Sequence, residues 1–451
     1  MPQYLTIGLI IAFFLLCLII GYFSGKKETN EGYFIANRSL GTFTSTATIT
    51  ASFIGANTLL IYTAFVYTYG ISAFWMFVGY MIGFYIFGIF GVFLKKRADI
   101  KKYYTLSDYF HDRHGKGIAV VATFGVFVIY FGSLVNQYIG GAKVLSHISG
   151  WPYELSLGIA ASVILIYLFL GGFKAVVKTD VFQYMLIIIL PLVLIFSITS
   201  GISVPSEYYN IFNAGWLNII AFLFYGLFSV FIYAEFWQRA YAAKDNKTVK
   251  KAFTFAGISY LLIGIFFTYI GLVARTSFPE IDSDLAAIHS FTKLIPETLV
   301  GVTMIMLFAV IMSSADTILF VLSMNVSQDI MNRNRTLGKK KELLYTKIAI
   351  IGFTVVGVVL AIIYPRMADN IIVYVSIGLG LSPLVVISWL SKNPDVKSMI
   401  YSFIITSLTV IVLVIGFNYI HPGLGLIAIL ECFVIYFVFY LVKLLFISNP
   451  E

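Results

Sequence analysis

Thirteen apolar runs, most of them about twenty residues long, follow one another along this chain with only short polar interruptions. They lie at approximately 4–24, 43–70, 74–94, 117–146, 153–171, 179–201, 216–236, 252–275, 298–331, 346–364, 370–391, 399–419 and 424–446. An α-helix needs about 20 apolar residues to cross the hydrocarbon of a bilayer, and a water-soluble core does not need so many in succession. Lipid is therefore the expected solvent. Composition agrees: 60% of the 451 residues are hydrophobic, 11% are charged and the mean hydropathy is +0.93, which leaves too little polar material to cover a soluble core. The runs are about twice the length of a barrel strand and lack period-2 alternation, which excludes an outer-membrane barrel. A soluble enzyme, a disordered chain, a disulfide-built secreted domain and, despite a formal net charge of +9, a nucleic-acid reader are excluded as well.

Cys17 and Cys432 lie inside apolar runs as packing groups and imply neither redox chemistry nor a metal framework. His111, His114, His147, His289 and His421 fall in polar connections without metal-ligand spacing and read as solvated. The first run has no basic segment before it and no small-residue cleavage site after it, so it is expected to be a retained helix rather than a signal peptide.

Short loops rich in Lys and Arg stay in the cytoplasm. With the N-terminus outside and the C-terminus inside, 26 of the 30 basic residues fall in cytoplasmic connections, among them Lys26, Lys27 and the cluster from Arg239 to Lys251. Only Arg275, Lys293 and Arg366 lie outside, and Lys143 falls within the fourth run. The basic balance is then explained by topology and by anionic inner-leaflet lipid, without an acidic partner. No connection is longer than about 22 residues or has linker composition, so one membrane domain accounts for the chain. No phosphate-binding loop is present, which argues against a pump driven by ATP.

The ninth run carries the stretch FAVIMSSADTIL at 308–319, with four polar groups at the depth of the bilayer centre. A charge there costs at least about 2.5–3.5 kcal/mol, so Asp316 is expected to face a cavity or a partner. Helical spacing puts Ser313, Asp316 and Thr317 on one stripe, with Ser314 about 100° round from Ser313. Hard oxygens converging on one side of a helix suit a small hard cation, whereas Ser and Thr alone more often make interhelical hydrogen bonds. The second run is interrupted by TASFIGANT at 50–58, where Gly55, Asn57 and several hydroxyls break an apolar helix. Such breaks free carbonyls for an ion in transporters, although a membrane-helix glycine also marks close packing.

Four further motifs carry a resemblance to a known family. They are YFIANRSLG at 33–41, TLSDYF at 105–110, FWQR at 236–239 with Ala242, Ala243 and Lys244, and Gly140-Gly141 with YLFLGGFKAVVKTDVFQ at 167–183. Together they resemble the sodium/solute symporters, which carry proline, sugars, sialic acid and other small solutes. The resemblance implies an all-α membrane protein of about thirteen helices with a fold like the bacterial leucine transporter: two five-helix repeats of inverted topology, spans two to six and seven to eleven. The divisions it implies are 1–42 as a peripheral helix and loop, 43–201 and 202–392 as the repeats, and 393–451 as peripheral helices.

On the family pattern, the main Na⁺ site is made by the carbonyls of Ala51, Ile54 and Val310 and the hydroxyls of Ser313 and Ser314. Asp180 matches an aspartate used in some members for ion release or a second Na⁺, and is read equally as a carboxylate stabilised at a helix start. The accompanying hydroxyl positions fall on Asp316 and Thr317, and a carboxylate at the first of these departs from the pattern. It fits a second cation site or a proton site. Asn57 and Thr58 match substrate-contacting positions, and Gln137, Tyr225 and Ser229 are further candidates, residue types that taken singly more often pack or sit at an aromatic interface. Phe53 stands where proline transporters have an aspartate. Gly226 keeps the place of a possible break in the seventh span, and Ile232-Tyr-Ala replaces the family's frequent Gly-Gln-Pro. Glu431 has no assigned role and pairs with a neighbouring helix or lies near a membrane face.

The expected function is Na⁺-driven symport of a small polar organic solute such as an amino acid, carboxylate or sugar, by alternating access, with Na⁺ as the coupling ion. Proton coupling through Asp316 or Asp180 is the alternative within transport. A non-transporting membrane sensor is another, without an appended signalling domain. A membrane enzyme is disfavoured because the buried polar groups include no nucleophile with an adjacent base. No nucleic acid and no obligate protein partner are expected.

Overall fold

The computed structural model describes residues 3–25, 29–198, 202–333, 336–365 and 368–447. Lys26, Lys27 and Arg366, which entered the charge argument, lie outside them. Among the described residues the chain is helical, and its one β-type contact is an isolated bridge between Leu40 and Ala243. In order, the helices are α1 (Gln3–Gly25), α2 (Asn30–Ile35), α3 (Thr42–Phe53), α4 (Tyr62–Tyr69), α5 (Trp75–Lys101), α6 (Leu106–His114), α7 (Lys116–Ser149) and α8 (Tyr153–Ile198). There follow α9 (Gly215–Ile232), α10 (Ala234–Ala242), α11 (Asn246–Ser277), α12 (Ala286–Lys293), α13 (Glu297–Asn325), α14 (Lys339–Ile363), α15 (Ala368–Leu379), α16 (Ser382–Leu390), α17 (Val396–Phe417) and α18 (Gly423–Ile447).

Eleven helices among the described residues are long and apolar enough to cross a membrane. Two of them, Asn57–Lys101 and Tyr153–Pro191, each cover two of the thirteen apolar runs, so the runs do not map one to one onto separate helices. The first is turned at Gly70, whose φ of 67° and ψ of −158° no L-residue adopts without strain. The second is turned at Gly172, with φ 55° and ψ −150°. The consequence of that turn is visible in Asp316, whose Oδ2 accepts from both Tyr167 and Thr179. Twelve residues of straight helix would separate those two by about 18 Å.

The polarity of a membrane protein is reversed only at its rim. Helices α1, α14, α17 and α18 present Leu15, Ile348, Val412, Ile415, Val434 and Leu445 outward, all exposed, as lipid-facing surface. α13 is buried along nearly its whole length between α7, α8 and α3. Close approach is set by small residues: a Cβ at Gly226 would lie 2.0 Å from the Met76 carbonyl, and one at Gly79 2.2 Å from that of Leu223. Gly226 is therefore a packing residue inside an unbroken α9 and not the break expected there. The interruption falls at Tyr233, with φ −76° and ψ 108°.

Two further expectations are corrected by burial. Arg239, counted with a cytoplasmic loop, is 1% exposed in α10. His114, read as solvated, is half-buried with Nε2 2.6 Å from Ser388 Oγ. Glu431 does pair with a neighbouring helix, accepting from Thr409 of α17 at 2.7 Å.

Candidate functional site

The helix carried by α3 fails at Ile54, whose φ of −91° and ψ of 93° are extended, and resumes through 57–61 into α4. Several polar groups freed by the break can be followed. The Thr58 N–H, which an unbroken helix would give to Ile54, donates to the Gly55 carbonyl at 3.0 Å instead. The Ala56 N–H, due to Ser52, donates to Gln137 Oε1 at 2.7 Å. The Ser52 carbonyl thus released accepts from Ser314 Oγ at 2.7 Å. Ser313 Oγ lies 2.8 Å from the Ala51 carbonyl and 2.6 Å from that of Val310. Three of the five expected ion oxygens therefore converge on one point where α3 crosses α13, and Ser314 sits beside them on the adjoining carbonyl. Only glycine fits at the junction, because a Cβ on Gly55 would lie 2.3 Å from Ser314 Oγ and 2.6 Å from Gln137 Oε1.

One turn further along, the same crossing holds an ionic cluster. Asp180 Oδ2 accepts from Thr48, from Ser52 Oγ at 3.1 Å and from Arg239 Nη2 at 3.3 Å. Arg239 Nη2 also reaches Ser52 Oγ at 2.5 Å and Thr317 Oγ1 at 2.9 Å, its Nε reaches Thr48 Oγ1 at 3.2 Å, and its guanidinium lies over the Phe173 ring at 5.3 Å. Asp316 turns the other way, toward Tyr167 and Thr179 of α8. Helical spacing is thus right that Ser313 and Thr317 share a face, while Asp316 is directed round it. Asp180, eight residues past the Gly172 turn, is bonded by side chains rather than by a helix start. Its Oδ1 and that of Asp316 have no hydrogen-bond partner among the described residues. Two ionised carboxylates against one guanidinium leave one negative charge over, which a cation or a proton would neutralise.

Beside the break lies a narrow cavity of about 40 Å³, room for a few water molecules in this conformation. Asn57, Thr58, Gln137 and Tyr225 line it, as do Ser52 and Ser314 from the crossing. Ser229 is buried but does not line it. Thr58 is fixed by Tyr260, hydroxyl to hydroxyl at 2.8 Å. Sequence reasoning missed Ser52, Thr48 and Arg239 as members of the cluster, and Tyr233 and Glu235 on the cavity wall. The FWQR motif carried the signal for Arg239, but not its direction.

A model of the sodium:solute symporter family matches residues 33–389. The chain is 24% identical over 444 residues to sodium/proline symporter 2 of Staphylococcus saprophyticus, covering 91% of this chain and 86% of that one. It is 24% identical over 438 residues to the sodium/proline symporter of Staphylococcus aureus strain Newman, covering 90% and 85%. The fold is shared with a Na⁺-coupled sialic acid symporter in its substrate-bound outward-open state, at a TM-score of 0.82 and 15% identity over 95% of this chain and 96% of that one. It is shared less closely with a nucleobase-cation-symport-1 family transporter in a closed conformation, at 0.61 and 12% over 90% and 92%. With this match from before the first helix break to the end of α16, the chain belongs to the sodium:solute symporter family, and is a multi-pass membrane transporter rather than an enzyme.

Proposed function

We propose that this Na⁺-coupled symporter carries a small polar organic solute in the cavity beside the α3 break, and that Na⁺ binds between Ala51, Ile54, Val310, Ser313 and Ser314. The observation that carries the reading is Ser313 Oγ within hydrogen-bond distance of the Ala51 and Val310 carbonyls, one from each side of the crossing. An alkali cation seated among those oxygens, with the hydroxyl proton turned away, would bridge them and tie the broken helix to α13. The cavity wall includes Ser52 and Ser314, so the ion and the solute stabilise one arrangement, and each raises the affinity for the other. Asn57, Thr58, Gln137 and Tyr225 are the solute contacts.

Asp180, Asp316 and Thr317 form a second cation site in this reading. A proton on Asp316 is the other occupant, and the observation favouring it is that Arg239 already fills the cationic place beside Asp180. The N-terminus lies outside and the C-terminus in the cytoplasm, the inverted repeats run 43–201 and 202–392, and transport needs no further protein chain.

The test is uptake in proteoliposomes. Ser313→Ala combined with Ser314→Ala should weaken Na⁺ activation by about tenfold or more while leaving membrane insertion unchanged, since each lost hydroxyl removes roughly 1 kcal/mol of ion–oxygen contact. An unaltered Na⁺ dependence would sink the assignment. A proton site at Asp316 is separated from it by varying pH at fixed Na⁺.

A further inference from the structure

The cavity wall contains a carboxylate that the coupling ion does not account for. α9 stops at Tyr233 and α10 starts at once, so Glu235 lies in the first turn of a nine-residue helix whose residues are all buried. Its backbone N–H donates to Tyr130 Oη at 2.9 Å, and its side chain lines the cavity. The residue is 2% exposed, and its Oε2 has no hydrogen-bond partner among the described residues. Arg239 is one turn away on the same helix, but its Nε and Nη2 are taken by Asp180, Ser52, Thr48 and Thr317, and its Nη1 has no hydrogen-bond partner among the described residues. Among the described residues no Lys or Arg forms an ion pair with Glu235, and none lines the cavity, nor does any His.

A carboxylate withdrawn from water is expensive to hold ionised unless a cation stands beside it, and the nearest one, Arg239, is bonded chiefly elsewhere. The rest of the wall is aromatic. Tyr80, Tyr225, Tyr233 and Tyr260 face the same space around Phe53, whose ring centre is 5.1 Å from those of Tyr80 and Tyr260 and 4.9 Å from that of Tyr233. Asn57 Oδ1 adds an acceptor without a partner among the described residues. Acceptors, a buried carboxyl group that a neighbouring cation would hold ionised, and ring faces are the groups that attract a positively charged nitrogen.

From this we infer that the transported solute carries an ammonium nitrogen, held by Glu235 and the surrounding rings, so that Glu235 selects the solute's charge. The inference rests on the solute-symport reading of this cavity and narrows it. A solute whose only charge is a carboxylate meets a like charge there, and a neutral sugar leaves Glu235 uncompensated.

Thermal unfolding of the purified full chain decides it, with ethanolamine and tetramethylammonium as cationic probes, glucose as a neutral one and lactate as an anion, each in Na⁺ and in K⁺ buffer. At least one ammonium probe should raise the melting temperature while glucose and lactate do not. Glu235→Gln should raise the half-saturating concentration of that probe about tenfold or more, as expected for loss of a charged partner, with the Na⁺-induced shift retained. Stabilisation by glucose or lactate alone, no response to either ammonium probe, or an ammonium response unchanged in Glu235→Gln would each overturn the inference. The panel on the unaltered protein decides the matter even where the variant does not fold. Ammonium binding of equal strength in Na⁺ and K⁺ upholds the Glu235 site and counts instead against Na⁺ coupling.

Discussion

Replacing Arg239 by Met tests the buried cluster most directly. The guanidinium makes four hydrogen bonds to side chains with essentially no solvent exposure, and it is the cation paired with Asp180. Met keeps most of the volume and removes the charge, leaving Asp180 and Asp316 buried without it. Breaking a buried pair from one side costs about 3–5 kcal/mol, because the surviving charge has neither water nor partner. At roughly 2–4 °C per kcal/mol for a large domain, the melting temperature should fall by about 6–20 °C. Asp180→Asn alone should also be costly, since it strands the arginine. The two together should cost much less than their sum, with a coupling of about 2–3 kcal/mol recovered in a double-mutant cycle. The assay is fluorescence-detected unfolding in detergent, in K⁺ buffer so that Na⁺ does not fill the vacated place. Added Na⁺ should then stabilise Arg239→Met more than the unaltered protein. Strict additivity of the two single changes, or a melting temperature unmoved by Arg239→Met, would refute the reasoning.

Two other outcomes are expected. Gly55→Ala drives a methyl group to 2.3 Å from Ser314 Oγ and 2.6 Å from Gln137 Oε1, and overpacking of that kind costs about 1–3 kcal/mol. Na⁺ activation of uptake should shift by roughly 5–150-fold, and an unshifted curve would show that the junction yields freely. At the edge of the membrane, burial first, and then Arg113 and Arg97, push the His114 imidazole down to about 4. A group whose pKa is depressed in the folded chain contributes its stability above the unfolded value of about 6.5 and loses it as pH falls toward 4. The melting temperature should therefore drop between pH 6.5 and 4 by more in the unaltered protein than in His114→Gln, which keeps a polar group toward Ser388 but does not titrate. Parallel curves would remove His114 as the cause.

What could be read from one dimension was whatever hydropathy and helical period express. The interruption around Gly55 and the buried Asp316 announce themselves as departures from a local pattern and are found where the pattern put them, whereas the thirteen apolar runs are helical without each being a separate span. The residues between runs were less legible. Lys174 and Lys178 made 171–179 look like a loop, yet only Gly172 leaves helical conformation and the helix goes on beneath them. Arg239 and Glu235 were hidden for a related reason. A charge just after an apolar run, as at Arg239, scores as the start of a solvated connection, a carboxylate at the last turn of a run, as at Glu235, scores as its boundary, and nothing in the row of letters shows that α10 is buried along its whole length. The expected break at Gly226 failed because glycine serves two ends in a membrane helix, and here backbone contact with Met76 is the one served.

The isolated bridge between Leu40 and Ala243 has a kinetic meaning. Leu40 N–H donates to the Ala242 carbonyl at 3.1 Å and the Leu40 carbonyl accepts from Lys244 N–H at 2.9 Å. Close by, Arg38 grips the carbonyls of Tyr103 and Tyr241, at 2.8 and 3.4 Å, and the carboxylate of Glu31. A motion that parts the entry to α3 from the exit of α10 has to undo the two Leu40 bonds and the Arg38–Tyr241 bond together, because they hang on residues two apart. Such a clasp resists small excursions and then lets go at once, so separation of these two segments is expected as an all-or-none step rather than a gradual one.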